Sequence, residues 1–154
     1  MAVPYSLRPA TDADFLFMRE TKLEAMEPHV TALWGWNRTE QEGRFRKGFD
    51  PTGCQIITVA GADAGFITVL DHADDRFLAG IYLARGFRRN GLGSAIITDL
   101  IERAAARHRG LTLRVLKANP ARRLYERLGF EVTGETDTHY MMRADGAPRI
   151  ARSI

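Results

Sequence analysis

The stretch Ile81-Tyr-Leu-Ala-Arg-Gly-Phe-Arg-Arg-Asn-Gly-Leu-Gly-Ser94 carries the clearest chemistry in the chain. A β-type run ends, a short basic turn follows, and two glycines open a helical pattern. The first amides of a helix lack an intrahelical acceptor and sit at the positive end of its dipole, so they form an anion site. Arg88 and Arg89 add positive charge, while Gly91 and Gly93 let a phosphate come close to the backbone. Two common phosphate loops do not fit. Gly86 and Gly91 have the spacing of the nucleoside-triphosphate loop, but Leu92 stands where that loop needs lysine. The dinucleotide fingerprint fails at Ile96, which occupies its third glycine position.

The elements that must hold this stretch in place belong to a chain of modest size. At 154 residues it is one domain long. Its 45% hydrophobic and 27% charged content suits a globular core rather than a disordered chain. Cys54 is alone and the four histidines, His29, His72, His108 and His139, are scattered singly, so no structural metal is expected. The start lacks a basic, then apolar, leader, and no apolar run reaches the ~18 residues of a membrane span. A cytoplasmic protein without membrane contact is the expectation. Net charge is only +3, and the excess of 19 arginines over 3 lysines is what a G- and C-rich genome produces. No nucleic-acid partner is expected from charge alone.

Along the chain, Ser6 to Pro9 reads as a short strand, and Thr11-Asp-Ala-Asp14 as a helix start with a capping oxygen. That first helix is expected to end at Pro28. Thr39-Glu-Gln-Glu42 has capping-box spacing and opens a second helix to about Phe49. Gln55–Ala60 and Gly65–Leu70 predict an antiparallel hairpin across the turn Gly61–Ala64. A fourth strand runs from Phe77 to Ala84. Leu92, Ile96, Leu100, Ala104 and His108 recur at helical spacing, with Gly110 as the stop. Leu111, Leu113 and Val115 alternate as a strand does. Asn119-Pro120 opens a short helix that Gly129 closes with Phe130 packing back. Two last strands, Phe130–Glu135 and Thr138–Arg143, complete a sheet, and 144–154 reads as a loose tail. The expectation is one mixed α/β domain over 1–143.

Arg88-Arg-Asn-Gly-Leu-Gly93 resembles the pyrophosphate loop R/Q-x-x-G-x-G/A of the GNAT superfamily of N-acetyltransferases. Asn119-Pro-Ala-Arg-Arg-Leu-Tyr-Glu-Arg-Leu-Gly-Phe130 resembles the N-x-x-A-x-x-x-Y-x-x-x-G-F segment of the same superfamily, although alanine here falls at 121. The order of strand, loop, long helix, strand and shorter helix agrees, and the likeness extends from Ser6 to Arg143. It implies an α/β (α+β) GNAT fold: a mixed sheet of six or seven strands flanked by about four helices, splayed between its fourth and fifth strands.

The resemblance also implies roles. The pyrophosphate of acetyl-CoA, used as co-substrate, would lie on Arg88, Arg89, Asn90, Gly91, Leu92, Gly93 and Ser94. Ile81, Tyr82 and Leu83 would offer backbone groups to the pantetheine arm, and an amide near Leu83 would meet the oxyanion. Asn119 would hold the arm or simply cap its helix, Arg122 would reach the nucleotide phosphate, and Tyr125 would face the departing thiolate. Trp34 and Trp36 fall where the superfamily covers its amine acceptor, and His139 or Tyr140 would approach from the seventh strand. Each also has an ordinary packing role: Asn119 as a cap, Tyr125 and the tryptophans as core.

One departure stands out. Many relatives carry a basic glutamate on the fourth strand, whereas Phe77, Leu78, Ala79 and Gly80 include no acid. Asp71, His72, Asp74, Asp75, Glu24, Glu27 and His29 are the nearby titratable candidates, with a water relay as the alternative. The leading expectation is an acetyl-CoA-dependent N-acetyltransferase acting on a small-molecule or protein amine by direct attack in a ternary complex. A catalytically silent acyl-CoA sensor and an arginine-rich RNA-binding module are the alternatives. A homodimer is left open.

Overall fold

The computed structural model describes residues 4–146, apart from the side chains at 32 and 33. Its elements, in chain order, are β1 (Ser6–Pro9), α1 (Phe15–Trp34), α2 (Arg38–Gly48), β2 (Cys54–Val59), β3 (Ala62–Asp71) and β4 (Asp75–Leu83). They are followed by α3 (Leu92–Ala106), β5 (Gly110–Leu116), α4 (Ala121–Arg127), β6 (Glu131–Glu135) and β7 (His139–Ala144). Among the described residues the strands form one mixed seven-stranded sheet in the order β1-β2-β3-β4-β5-β7-β6. The β4–β5 ladder is parallel, from Asp75 opposite Gly110 to Leu78 opposite Leu113. With the four α-helices this is the expected α/β architecture.

Contacts divide the chain into two units: residues up to Val69 with Gly80–Gly93, and Leu70–Ala79 with Ser94 onward. In the first unit β1 pairs antiparallel with β2, and β2 with β3. Ala60 (φ 51°) and Gly61 (φ 84°) are both left-handed. The hairpin therefore turns in two residues, whose twist matches the strands, rather than over Gly61–Ala64 as the sequence suggested. Ala62 and Ala64 already lie in β3. Met18, Cys54, Ile56 and Phe66 form a buried cluster, with Phe17, Phe45, Phe49 and Tyr82 packed on it. Each fully buried isoleucine of this kind contributes about 1.5–3 kcal/mol.

Three expected helix ends move. α1 runs through Pro28 to Trp34 and stops at Gly35, which has φ 78° and gives its N–H to Thr31 O. An internal proline forfeits one backbone hydrogen bond, but continuing the helix buries Val30. The cap of α2 is Asn37, whose Oδ1 accepts from Glu40 N at 3.0 Å, so Thr39 lies inside the first turn instead of preceding it. α3 is ended by His108 in the left-handed region (φ 58°), with Arg109 N bonding back to Ala104 O; Gly110 is already in β5.

In the second unit Ile96, Leu100 and Ala104 are buried at the predicted spacing on α3. Leu111, Leu113 and Val115 are buried along β5 and Arg114 is exposed, which is the predicted alternation. β7 pairs antiparallel with both β5 and β6. Ala144 pairs with Leu111 and is buried, so the strand includes the residue at which the tail was expected to begin. Residues 147–154 of that tail lie outside the described residues.

Candidate functional site

In the first unit, β4 delivers Ile81, Tyr82 and Leu83 into a 3-10 turn at Arg85–Phe87. Arg88 is extended, Arg89 turns left-handed at φ 62°, and Gly91 does so again at φ 83°. Those two reversals aim the chain into α3. Only glycine adopts such a φ without cost, so Gly91 is required by the backbone path. Gly93 is different: a methyl there would meet only Leu83 Cδ1 at 3.7 Å, so the fold itself tolerates a side chain. Asn90 Oδ1 accepts from Leu92 N at 3.1 Å and caps the helix. Arg89, Asn90 and Gly91 are exposed, and Leu92 is fully buried as the anchor of the turn. An exposed glycine turn at the start of a fifteen-residue helix fits an anionic phosphate group.

Arg88 does something the sequence did not disclose. Its Nε donates to Leu83 O at 2.9 Å and an Nη to Glu24 on α1 at 3.1 Å, with Arg85 also 3.9 Å from Glu24. The guanidinium thus braces the end of β4 against α1. It also occupies the Leu83 carbonyl, one of the groups expected to serve an extended ligand. The β4 backbone is approached closely on its other side as well. A Cβ on Gly65 would meet Tyr82 O, so glycine lets β3 lie against β4 there.

The tryptophans line a cleft of about 420 Å³ at the junction of α1 and α2, together with Val30, Asn37, Glu40, Gln41 and Arg44. Trp34 is exposed although it closes a helix. Arg44 and Glu40 pair across one turn at 2.7 Å. The cleft therefore offers indole surface beside a carboxylate whose charge is partly answered.

The second unit holds Ser94 and the other named residues. Asn119 Oδ1 accepts from Ala121 N at 2.9 Å, so its side chain is engaged in starting α4. Tyr125 packs edge-on against Phe130, with ring centres 5.8 Å apart, and Gly129 (φ 109°) makes the reversal that brings Phe130 back. Burial pushes the Tyr125 phenol above its ordinary value. Among the described residues nothing holds its hydroxyl. Arg122 lies over the Tyr140 ring at 4.3 Å and Lys117 at 5.2 Å. The Nε of Arg122 is buried without a partner among the described residues. His139 Nδ1 shares a hydrogen with Thr138 Oγ1 at 2.8 Å. Burial, then Arg114, lower its pKa, so it is neutral at neutral pH. His139 and Tyr140 thus serve different neighbourhoods, as strand alternation requires.

Four of the seven titratable candidates have charged partners, while Asp74, Glu27 and His29 have none among the described residues. Asp71 lies 2.9 Å from Arg76 and 3.6 Å from Arg109. Asp75 faces Arg143 through Oδ2, while its Oδ1 is buried without a hydrogen-bond partner among the described residues, 3.4 Å from His72 Nδ1, and Glu24 is held by Arg88. A group that motif reading missed is Lys22 of α1. Its Nζ lies 5.9 Å from the Phe45 ring centre and 5.6 Å from that of Tyr82, and burial lowers its pKa. The signal was present in its spacing, one helical turn after the buried Met18. Among the described residues no three metal-binding side chains gather, and no helix is long and apolar enough to cross a membrane.

Residues 52–132 match the family model described as an acetyltransferase (GNAT) domain. No curated protein matches the sequence. Solved structures resemble it throughout. The PaiA N-acetyltransferase from Thermoplasma acidophilum, in complex with coenzyme A, has a TM-score of 0.75 at 14% identity over 92% of this chain and 98% of that one. YjaB from Escherichia coli, in its apo form, has a TM-score of 0.70 at 21% identity over 94% and 99%. The ribosomal-protein-S18-alanine N-acetyltransferase from Escherichia coli has a TM-score of 0.62 at 21% identity over 92% and 93%.

Proposed function

This chain belongs to the GNAT family of acetyltransferases, and on that premise we propose that it moves an acetyl group from acetyl-CoA to a primary amine by direct attack in a ternary complex. The observation that carries the reading is the exposed turn Arg89–Gly91 opening α3, where Gly91 is left-handed and Gly93 is uncrowded by the protein itself. The glycine at 93 is explained by a ligand that must lie against the backbone. Arg89, Asn90, Gly91, Gly93 and the first amides of α3 would hold the diphosphate, Ile81–Leu83 would align the pantetheine arm, and Arg122 would serve the nucleotide phosphate. Arg88 would act less as a phosphate ligand than as the brace that fixes the turn to Glu24 and Leu83.

The acetyl thioester supplies an activated carbonyl. An alkylamine is neutral only about once in 2,500 at pH 7, so the acceptor must lose a proton as it binds. With Asp71, Asp75 and Glu24 in ion pairs, a water relay suits this chain better than any of those three carboxylates as a fixed base. A main-chain amide near Leu83 would stabilise the oxyanion. Tyr125, kept protonated by burial, would donate a hydrogen bond to the departing thiolate. Full transfer is uphill by at least about 2 kcal/mol for a phenol facing a thiol, and burial increases that. The Trp34–Trp36 cleft would take the acceptor, since indole faces and Glu40 attract an ammonium.

The ion pairs of Asp71, Asp75 and Glu24 also support a second reading, a silent acyl-CoA sensor. Titrating coenzyme A in a calorimeter and then screening an amine library for thiol release and product mass tests both. Saturable heat with acetylated product supports the enzyme, and heat without thiol release supports the sensor. Absence of heat removes both.

A further inference from the structure

Lys22 stands apart from the other charges of α1. Glu20 is taken by Arg38 and Arg19, and Glu24 by Arg88 and Arg85, so the acids within a turn of it are committed to arginines. Among the described residues no carboxylate lies within ion-pair distance of its ammonium. It faces instead the rings of Phe45 and Tyr82, on the edge of the cluster that contains Met18 and Cys54. Gly80 leaves room for Tyr82 there, because a Cβ at residue 80 would lie 2.5 Å from the Tyr82 ring. Aromatic faces attract a cation but replace little of its hydration. Desolvation accordingly lowers the Lys22 pKa, with Cys54 acting in the opposite sense. A desolvated lysine has a larger neutral fraction than one in water and is activated as a nucleophile.

We propose that Lys22 is a self-acetylation site, its amine taking an acetyl group from acetyl-CoA aligned along the same strand that carries Tyr82. This rests on the proposed use of acetyl-CoA. The neutral amine attacks the thioester carbonyl, a C–N bond forms and the C–S bond breaks. The proton lost from nitrogen goes to the sulfur, so one thioester and one amine give one amide and one thiol. The product is a neutral amide between two rings, where the parent ammonium was poorly solvated. The modification therefore suits its surroundings better than the unmodified side chain does.

The chain contains three lysines, Lys22, Lys47 and Lys117, which provide an internal comparison. The full chain is incubated with acetyl-CoA and no added amine, digested, and each lysine is followed by mass spectrometry, with coenzyme A binding measured separately by calorimetry. Lys22 is expected to gain acetyl at least about tenfold faster than Lys47, with a rate that saturates in acetyl-CoA. Desulfo-CoA should suppress the reaction, and Lys22→Arg should abolish the label. Equal labelling of the three lysines, or a rate linear in acetyl-CoA, overturns the inference. Saturable coenzyme A binding with Lys22 unlabelled overturns it while leaving the proposed function standing. No coenzyme A binding overturns the proposed function first, and this inference with it. Because the wild-type chain alone supplies the comparison, a variant that fails to fold does not affect the outcome.

Discussion

Replacing Gly65 by alanine tests how tightly β3 supports the proposed binding strand. The added methyl would meet Tyr82 O, and it would be 3.0 Å from Leu83 Cα. Both are main-chain atoms, so no rotamer change relieves the contact. Ala84 N bonds Ala64 O at 2.8 Å on the adjoining residues, which keeps the strands from parting locally. Overpacking of this kind costs about 1–3 kcal/mol. For a chain of this size that corresponds to a fall in melting temperature of roughly 2–12 °C. The matched control is Gly86→Ala, where no heavy atom lies within 4 Å of the new methyl. Its effect should stay within about 0.5 kcal/mol. Thermal unfolding by circular dichroism reads the stability, and a coenzyme A titration reads the displaced Tyr82–Leu83 backbone. If Gly65→Ala melts with the wild type and binds coenzyme A equally well, the close approach of β3 is not what sets β4.

Gly91→Ala should weaken coenzyme A binding and cost about 1–2 kcal/mol of stability, because its φ of 83° disfavours a side chain although no atom crowds the site. Gly91→Asn should recover part of both losses in the same titration and melt. Tyr125→Phe should lower kcat at least tenfold with little change in coenzyme A affinity; an unaltered kcat with any active amine removes Tyr125 from the chemistry. Asp14 is buried, accepts from both Arg8 Nη atoms and from Thr11 N, and its carboxyl is held below its ordinary value of 3.8, chiefly by Arg8. A lowered folded-state pKa stabilises above the unfolded value, and that stabilisation is lost as pH falls through the folded one. Asp14→Asn should therefore be less stable than wild type at neutral pH, with the gap closing below about pH 4 in urea melts. A gap independent of pH would contradict this assignment.

The legible parts of the molecule were those governed by local rules. Alternation at Leu111, Leu113 and Val115 and the four-residue period from Leu92 to Ala104 mark a strand and a helix whichever neighbours cover them. Gly129 before Phe130 marks a reversal for the same reason. Helix ends were less legible where competing signals occurred close together. Pro28 weakens a helix without stopping it when burial of Val30 offsets the lost bond, and His108 adopts the left-handed turn two residues before the more obvious Gly110. The glycine turn that opens α3 was legible too, since Gly91 and Gly93 announce it locally. Arg88 could not be recognised as a brace, because its partners Leu83 O and Glu24 meet it only after α1 packs beside β4.

The sequence by itself determined the order of the elements and the turn from Arg88 to Ser94, since backbone preference and side-chain period act over a few residues. It also carried the family likeness in two short motifs. Tertiary structure alone decided which charges are neutralised and which are left without a counterion. Glu24 is claimed from sixty-four residues away, while Lys22 is enclosed by rings from α2 and β4. Coulomb attraction and desolvation depend on distance and on water, and neither is set until the chain has folded.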